Sequence, residues 1–98
     1  MRFVFKNHEL VNLYQTGVSL KYQYSVIKAF FRVMAIITSA KDERDIRVLK
    51  GKRMEKLRGD RDGQHAIRLN DQYRLIFSIE RDKQGNYLLI IEIIDYHK

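Results

Sequence analysis

The sequence predicts an α+β architecture in which two N-terminal helices pack on a mainly antiparallel sheet built largely from the second half of the chain. Three observations carry this expectation. Between residues 19 and 37, Tyr22, Val26, Ala29, Phe30, Val33 and Ile36 or Ile37 recur at intervals of three and four, the spacing of one helical face. Residues 66–69 and 73–79 alternate around the connector Asn70-Asp71-Gln72, as the two arms of a hairpin do. Residues 87–94 are almost continuously apolar, which is how a strand covered on both faces reads.

Taken in order, Arg2 to Phe5 alternates and predicts a short first strand. Asn7 or His8 opens the first helix, where Leu10, Leu13 and Tyr14 fall at helical spacing and Gly17 sits where a left-handed C-terminal cap is wanted. Ser19 is the expected start of the second helix. A further row along it, Ile27, Phe31 and Met34, widens the apolar surface beyond one stripe. Either the helix is gripped between the sheet and the first helix, or part of this row meets a partner protein. Asp42 or Asp45 is placed to cap one short turn before Leu49.

A basic approach then leads into a tight turn from Gly59 to Gly63. In the first hairpin arm Ile67 and Leu69 point one way, Ala66 and Arg68 the other. In the second arm Tyr73, Leu75, Phe77 and Ile79 share a face, leaving Arg74, Ile76 and Ser78 opposite. Such a hairpin buries one side against helices and shows a small polyanion site on the other. The charged stretch 80–86, with Gly85-Asn86, connects to the last apolar run, which is expected at the centre of the sheet. Its one charge, Glu92, is expected to pair with Arg74 or Arg68. The order is β-α-α-β-β-β, in one domain spanning 1–98, because a chain of this size buries only roughly 60 to 70% of its unfolded surface and fills one core.

With 45% hydrophobic residues and 11% aromatic, the chain has enough apolar material to fold without staples. There is no cysteine, which excludes disulfides and thiolate zinc sites. No signal peptide or membrane span is read, so a soluble cytoplasmic protein without membrane contact is expected. The net charge is +7, and residues 47–61 hold seven basic residues against two acidic ones. That clustering makes either a solvated loop or a local positive potential for a phosphate backbone, an acidic protein or an anionic surface.

Several motifs fail on inspection. With Gly63 as position six of a calcium loop, positions one and twelve would be Arg58 and Leu69, so both acidic ligands are missing. Gly63 is followed by Gln64-His65 rather than the lysine and hydroxyl of a phosphate loop. His8, His65 and His97 have no metal-ligand spacing, and no metal or cofactor is expected. What remains is acid-base chemistry beside cations. His97, near Asp95 and Tyr96, is either solvated or proton-transferring. Arg74 and Arg68 either bind a phosphate or pair with Glu92 or Asp71. Tyr96 and Tyr73 both suit base stacking, though Tyr73 suits the core better.

The element order, the run Glu55-Lys56-Leu57-Arg58-Gly59-Asp60-Arg61-Asp62-Gly63-Gln64, the segment from Ile67 to Arg74 and the terminal Asp95-Tyr96-His97 together resemble the HigB toxins of the RelE/ParE superfamily of bacterial toxin-antitoxin systems. The resemblance covers essentially the whole chain and is most specific in the hairpin and the Asp-Tyr-His end. It implies a microbial RNase fold and a metal-independent endoribonuclease, an mRNA interferase that enters the ribosomal decoding site and cuts the bound messenger. By the same resemblance His97 is the proton-transferring residue, Asp95 and Tyr96 are its companions, and Arg74 meets the scissile phosphate. Glu55 stands just before the Leu-Arg-Gly-Asp run, where several relatives carry histidine; either it takes over that acid-base role or the second histidine is dispensable. Arg58, Lys56, Arg53, Lys52, Lys50, Arg61 and Arg68 are the expected RNA and ribosome contacts. The implied partners are the ribosome, messenger RNA and a HigA-like helix-turn-helix antitoxin, in a hetero-oligomer that reaches operator DNA through the antitoxin. Two other readings stay open: a ParE-like gyrase inhibitor, against which the Asp-Tyr-His end argues, and a non-catalytic basic RNA- or DNA-binding module.

Overall fold

The computed structural model describes residues 1–47 and 54–96. Its elements are β1 (Phe3–Phe5), α1 (His8–Thr16), α2 (Tyr24–Ser39), α3 (Glu43–Arg47), β2 (Met54–Lys56), β3 (Gln64–Arg68), β4 (Tyr73–Asp82) and β5 (Gly85–Asp95), with a 3-10 turn at Gly59–Arg61. The α+β architecture is as expected, with one addition. The short turn expected before Leu49 is α3, where Asp42 Oδ1 accepts from the Arg44 N–H at 2.8 Å and Asp45 Oδ2 from the Lys41 N–H at 2.8 Å. The addition is β2, too short to show an alternation, which is a strand because Met54, Glu55 and Lys56 pair with Ile67, Ala66 and His65.

The sheet order is β1-β5-β4-β3-β2; β1 runs parallel to β5 and the other neighbours are antiparallel. The last apolar run is therefore interior but not central. Pairing with β1 adds an outer strand beyond β5, so β4 takes the middle place.

Local chemistry sets the helix ends. Asn7, in extended conformation, caps α1 by accepting from the Leu10 N–H at 2.9 Å. Gly17 closes it at φ 70°, its N–H bonded to the Leu13 carbonyl at 2.8 Å, a conformation glycine adopts without steric cost. The second helix starts five residues later than Ser19. That hydroxyl accepts from the Lys21 N–H at 3.0 Å, which stabilises a turn in place of a helix start.

All three helices lie on one face of the sheet. Leu10, Phe30, Met34 and Ile46 meet Leu75, Phe77, Leu88 and Ile90 in one buried cluster. Each large side chain removed from water there contributes about 1.5–3 kcal/mol. The broad apolar surface of α2 is explained by grip from two sides: Ile27 and Met34 are buried, and Phe31 stacks on Tyr14 of α1 at 5.9 Å and 15°. No helix contributes to the second, smaller cluster, Ala66, Ile76 and Ile91, which lies on the opposite, open face with Leu57, Leu89 and Ile94 beside it.

The two faces of β5 are set by a β-bulge. Ile76 pairs with Glu92 but Phe77 with Ile90, leaving Ile91 as an extra residue. Leu88 and Ile90 therefore face the helices while Glu92 and Ile94 lie on the open face. Asn7 reaches this irregularity too, its Nδ2 donating to the Ile91 carbonyl at 2.8 Å.

Candidate active site on the open face of the sheet

Arg74 leaves β4 on the open face, between Arg68 of β3 and Ile94 of β5. Its Nη1 donates to the carbonyls of Asn70 at 2.7 Å and Tyr73 at 3.1 Å. Its guanidinium carbon lies 4.9 Å from the centre of the Tyr96 ring, within cation–π range. Among the described residues no carboxylate forms an ion pair with it. One edge of the guanidinium is thus anchored, one face is supported, and Nε and Nη2 make no hydrogen bond among the described residues. A planar cation held that way offers two parallel donors to a phosphate.

The described acids nearest to it are engaged elsewhere. Glu92 binds Arg61, not Arg74 or Arg68: Arg61 Nη2 donates to Glu92 Oε2 at 2.8 Å and Nη1 to Gln64 Oε1 at 2.9 Å. The physical reason is placement. Glu92 lies opposite Ile76, one row along the open face from Arg74, and the 3-10 turn brings Arg61 back over that row. Arg68 is ion-paired with Asp71, the other expected partner. Directly opposite like charges on a sheet repel; Asp71 offsets Arg68, and among the described residues no acid pairs with Arg74.

The remaining predicted site residues divide by face. Tyr96 joins Arg74, its backbone N–H donating to the Gln72 carbonyl at 2.6 Å. Asp95 does not join them. It pairs with Tyr73, whose ring packs in the helix-side core, and its carboxylate accepts from Gln72 Nε2 at 3.0 Å on that side. Neighbours in an extended strand point to opposite faces, so Asp95 and Tyr96 are separated by the geometry that makes them consecutive. Glu55 opposes Ala66, which opposes Ile76, and so shares the open face two strands across and two residues along from Arg74, about 12 Å at the spacing of neighbouring strands and the rise along a strand. Lys56, paired with His65, starts from the helix side; His65 stacks on Phe77 at 5.3 Å. Arg58 is exposed at the entrance to the 3-10 turn. His97, Lys50, Lys52 and Arg53 lie outside the described residues.

Two residues that sequence reasoning treats only as a connector, Asn70 and Gln72, touch three of the groups above. Their signal is weak, because the decisive atoms are mostly backbone carbonyls. Among the described residues no helix is long and apolar enough to cross a membrane, and no group of three or more His, Asp or Glu side chains converges as a metal site requires.

Residues 3–97 match a family model described as the RelE-like toxin of the type II toxin-antitoxin system HigB. Toxin HigB-1 of Vibrio cholerae serotype O1 is 45% identical over 53 residues, 54% of this chain and 56% of that protein, so the match spans little more than half of the relative. Among solved structures, the YoeB/ParE toxin from Agrobacterium tumefaciens superposes with a TM-score of 0.63 over 99% of this chain and 100% of that one, at 14% identity. A chain of the YoeB-YefM complex from Staphylococcus aureus does so with a TM-score of 0.54 over 100% and 98%, at 16% identity. At such identities these two structures share the fold.

Proposed function

As the chain belongs to the HigB-like family of RelE-like toxins from type II toxin-antitoxin systems, we propose that it is a ribosome-dependent endoribonuclease that cuts messenger RNA in the decoding site. The observation that carries the reading is Arg74: anchored through Nη1, supported by Tyr96, and without a carboxylate partner among the described residues.

The chemistry needs no metal. The ribose 2′-hydroxyl attacks the adjacent phosphorus, the bond to the 5′-oxygen breaks, and one proton leaves the attacking oxygen while another reaches the leaving oxygen. Arg74 stabilises the charge that builds on the phosphorane through its Nε and Nη2. Its rigidity matters, because a donor already in place requires no reorganisation during the reaction. His97 carries the proton transfer, an effect of roughly 10² to 10⁴ in rate. Tyr96 presents a ring on which a splayed base stacks, worth about 1–3 kcal/mol. Glu55 occupies the far side of the same face, a second acid-base position. Asp95 acts from behind, through Gln72, and Lys50, Lys52, Arg53, Lys56, Arg58 and Arg61 give the basic rim that meets ribosomal RNA. So sparse a constellation leaves the ribosome to supply much of the messenger's geometry. A helix-turn-helix antitoxin is the partner that silences the toxin, in a complex that reaches operator DNA.

The test is cleavage by purified protein of the same messenger, free and on programmed ribosomes. Ribosome-bound messenger is expected to be cut and free RNA to survive. Equal cleavage of both refutes ribosome dependence; an intact messenger together with loss of gyrase supercoiling refutes the nuclease.

A further inference from the structure

We infer that the connector between β3 and β4 is the positioning device of this site, with Asn70 setting Arg74 and Gln72 setting Tyr96. The inference rests on the reading above that these two side chains meet the RNA.

The connector does more than close a hairpin. Asn70 Oδ1 accepts two N–H groups, those of Gln72 at 2.9 Å and Tyr73 at 2.7 Å. Both lone pairs of the amide oxygen are thereby used, which folds the backbone tightly on itself. The fold aims the Asn70 carbonyl at Arg74 Nη1, 2.7 Å away. Two residues on, the connector grips the end of β5 twice: the Gln72 carbonyl accepts the Tyr96 N–H at 2.6 Å, and Gln72 Nε2 donates to Asp95 Oδ2 at 3.0 Å. The ring so held is the surface on which the guanidinium lies, 4.9 Å from its centre. The cation and the ring, which belongs to the last described residue, are therefore both referred to one three-residue turn. Asn70 and Gln72 act through Arg74 and Tyr96, so they are positioning residues. An alanine at position 70 still permits a hairpin but removes the acceptor that turns the carbonyl inward; an aspartate keeps that acceptor.

The experiment compares wild type, Asn70→Ala and Asn70→Asp in single-turnover cleavage on programmed ribosomes, and records the Arg74 side-chain proton resonances, which the Tyr96 ring current displaces; Tyr96→Ala gives the undisplaced reference. In Asn70→Ala the saturated cleavage rate is expected to fall about tenfold to a hundredfold, the size of a misplaced group, while half-saturation stays within about twofold. The Arg74 resonances should move toward the reference, and Asn70→Asp should restore both rate and displacement. An unchanged rate overturns the inference, as does a lower rate with the displacement intact. If wild type leaves the messenger whole, the nuclease reading has failed, and the inference about geometry then stands or falls on the resonances alone. Should Asn70→Ala fail to fold, Gln72→Ala, an exposed side chain, carries the test: a reduced ring-current displacement supports the inference, and an unmoved one overturns it.

Discussion

Replacing Arg74 by lysine keeps the charge and changes the shape, and that isolates what the open face asks of this residue. Arginine divides its donors: Nη1 serves the Asn70 and Tyr73 carbonyls at 2.7 and 3.1 Å, and Nε with Nη2, which make no hydrogen bond among the described residues, are the donors the proposed function assigns to the phosphate. A lysine ammonium is a single centre on a flexible stem, so it satisfies the carbonyls or the phosphate but does not present two parallel donors to the latter. The loss is one charge-assisted hydrogen bond in the transition state, about 1.5–3 kcal/mol. That converts to a fall in kcat/KM of roughly 10- to 150-fold. Folding should suffer less, because a half-exposed cation–π contact contributes only about 0.5–1 kcal/mol. The assay is cleavage on programmed ribosomes alongside urea unfolding of the same preparation. Activity within about threefold of wild type, less than one transition-state bond, would remove the guanidinium from the reaction.

Asn7 holds two groups, so its variants separate. Asn7→Ala should lose about 1 kcal/mol for the cap and roughly 1 more for the Ile91 carbonyl, whereas Asn7→Asp keeps the cap and loses only the second, read as shifts of the urea midpoint. The Arg2 guanidinium, hydrogen-bonded to Asp82, holds that carboxyl below the usual carboxylate range. Stability from this pair is therefore present above the unfolded carboxylate value and lost as pH falls through the folded one; the melting-temperature gap between wild type and Asp82→Asn should close on acidification, and a gap constant with pH contradicts the assignment. Charge reversal at Lys52, Arg53 and Lys56 should flatten the salt dependence of ribosome binding, and an unchanged slope places the basic contact elsewhere.

What could be read from the sequence is what the two periodicities encode. The faces of both hairpin arms, a helix opening at Asn7 or His8 and the left-handed Gly17 follow from residue spacing and conformational preference, and the structure has the arms and Gly17 so and takes Asn7 as the cap. A three-residue edge strand carries no period of its own, so β2 needed its partner to be seen. Ser19 is as good a turn former as a helix cap, and only its hydrogen bond to Lys21 decides between them. For Glu92, sequence reasoning looks to cations on the adjacent strands; Arg61 reaches it because a 3-10 turn folds the connector back, which spacing does not reveal. Asp95 and Tyr96 are natural companions on paper. In an extended strand their adjacency divides them between the two sides of the sheet.

The extra residue at Ile91 behaves like a clutch between two halves of one strand. A pleated ribbon has two settings only, and without that interruption the setting chosen by Leu88 and Ile90 would carry Glu92, Ile94 and Tyr96 inward, beneath the helices. The slipped count lets the first half satisfy the interior and the second half dress the exterior independently. Such a chain can afford to lose one residue from the slip itself, since the ladder then simply closes. It cannot accept one more between Glu92 and Tyr96, because the ring beneath Arg74 would turn to the wrong side while the rest of the molecule stood unchanged.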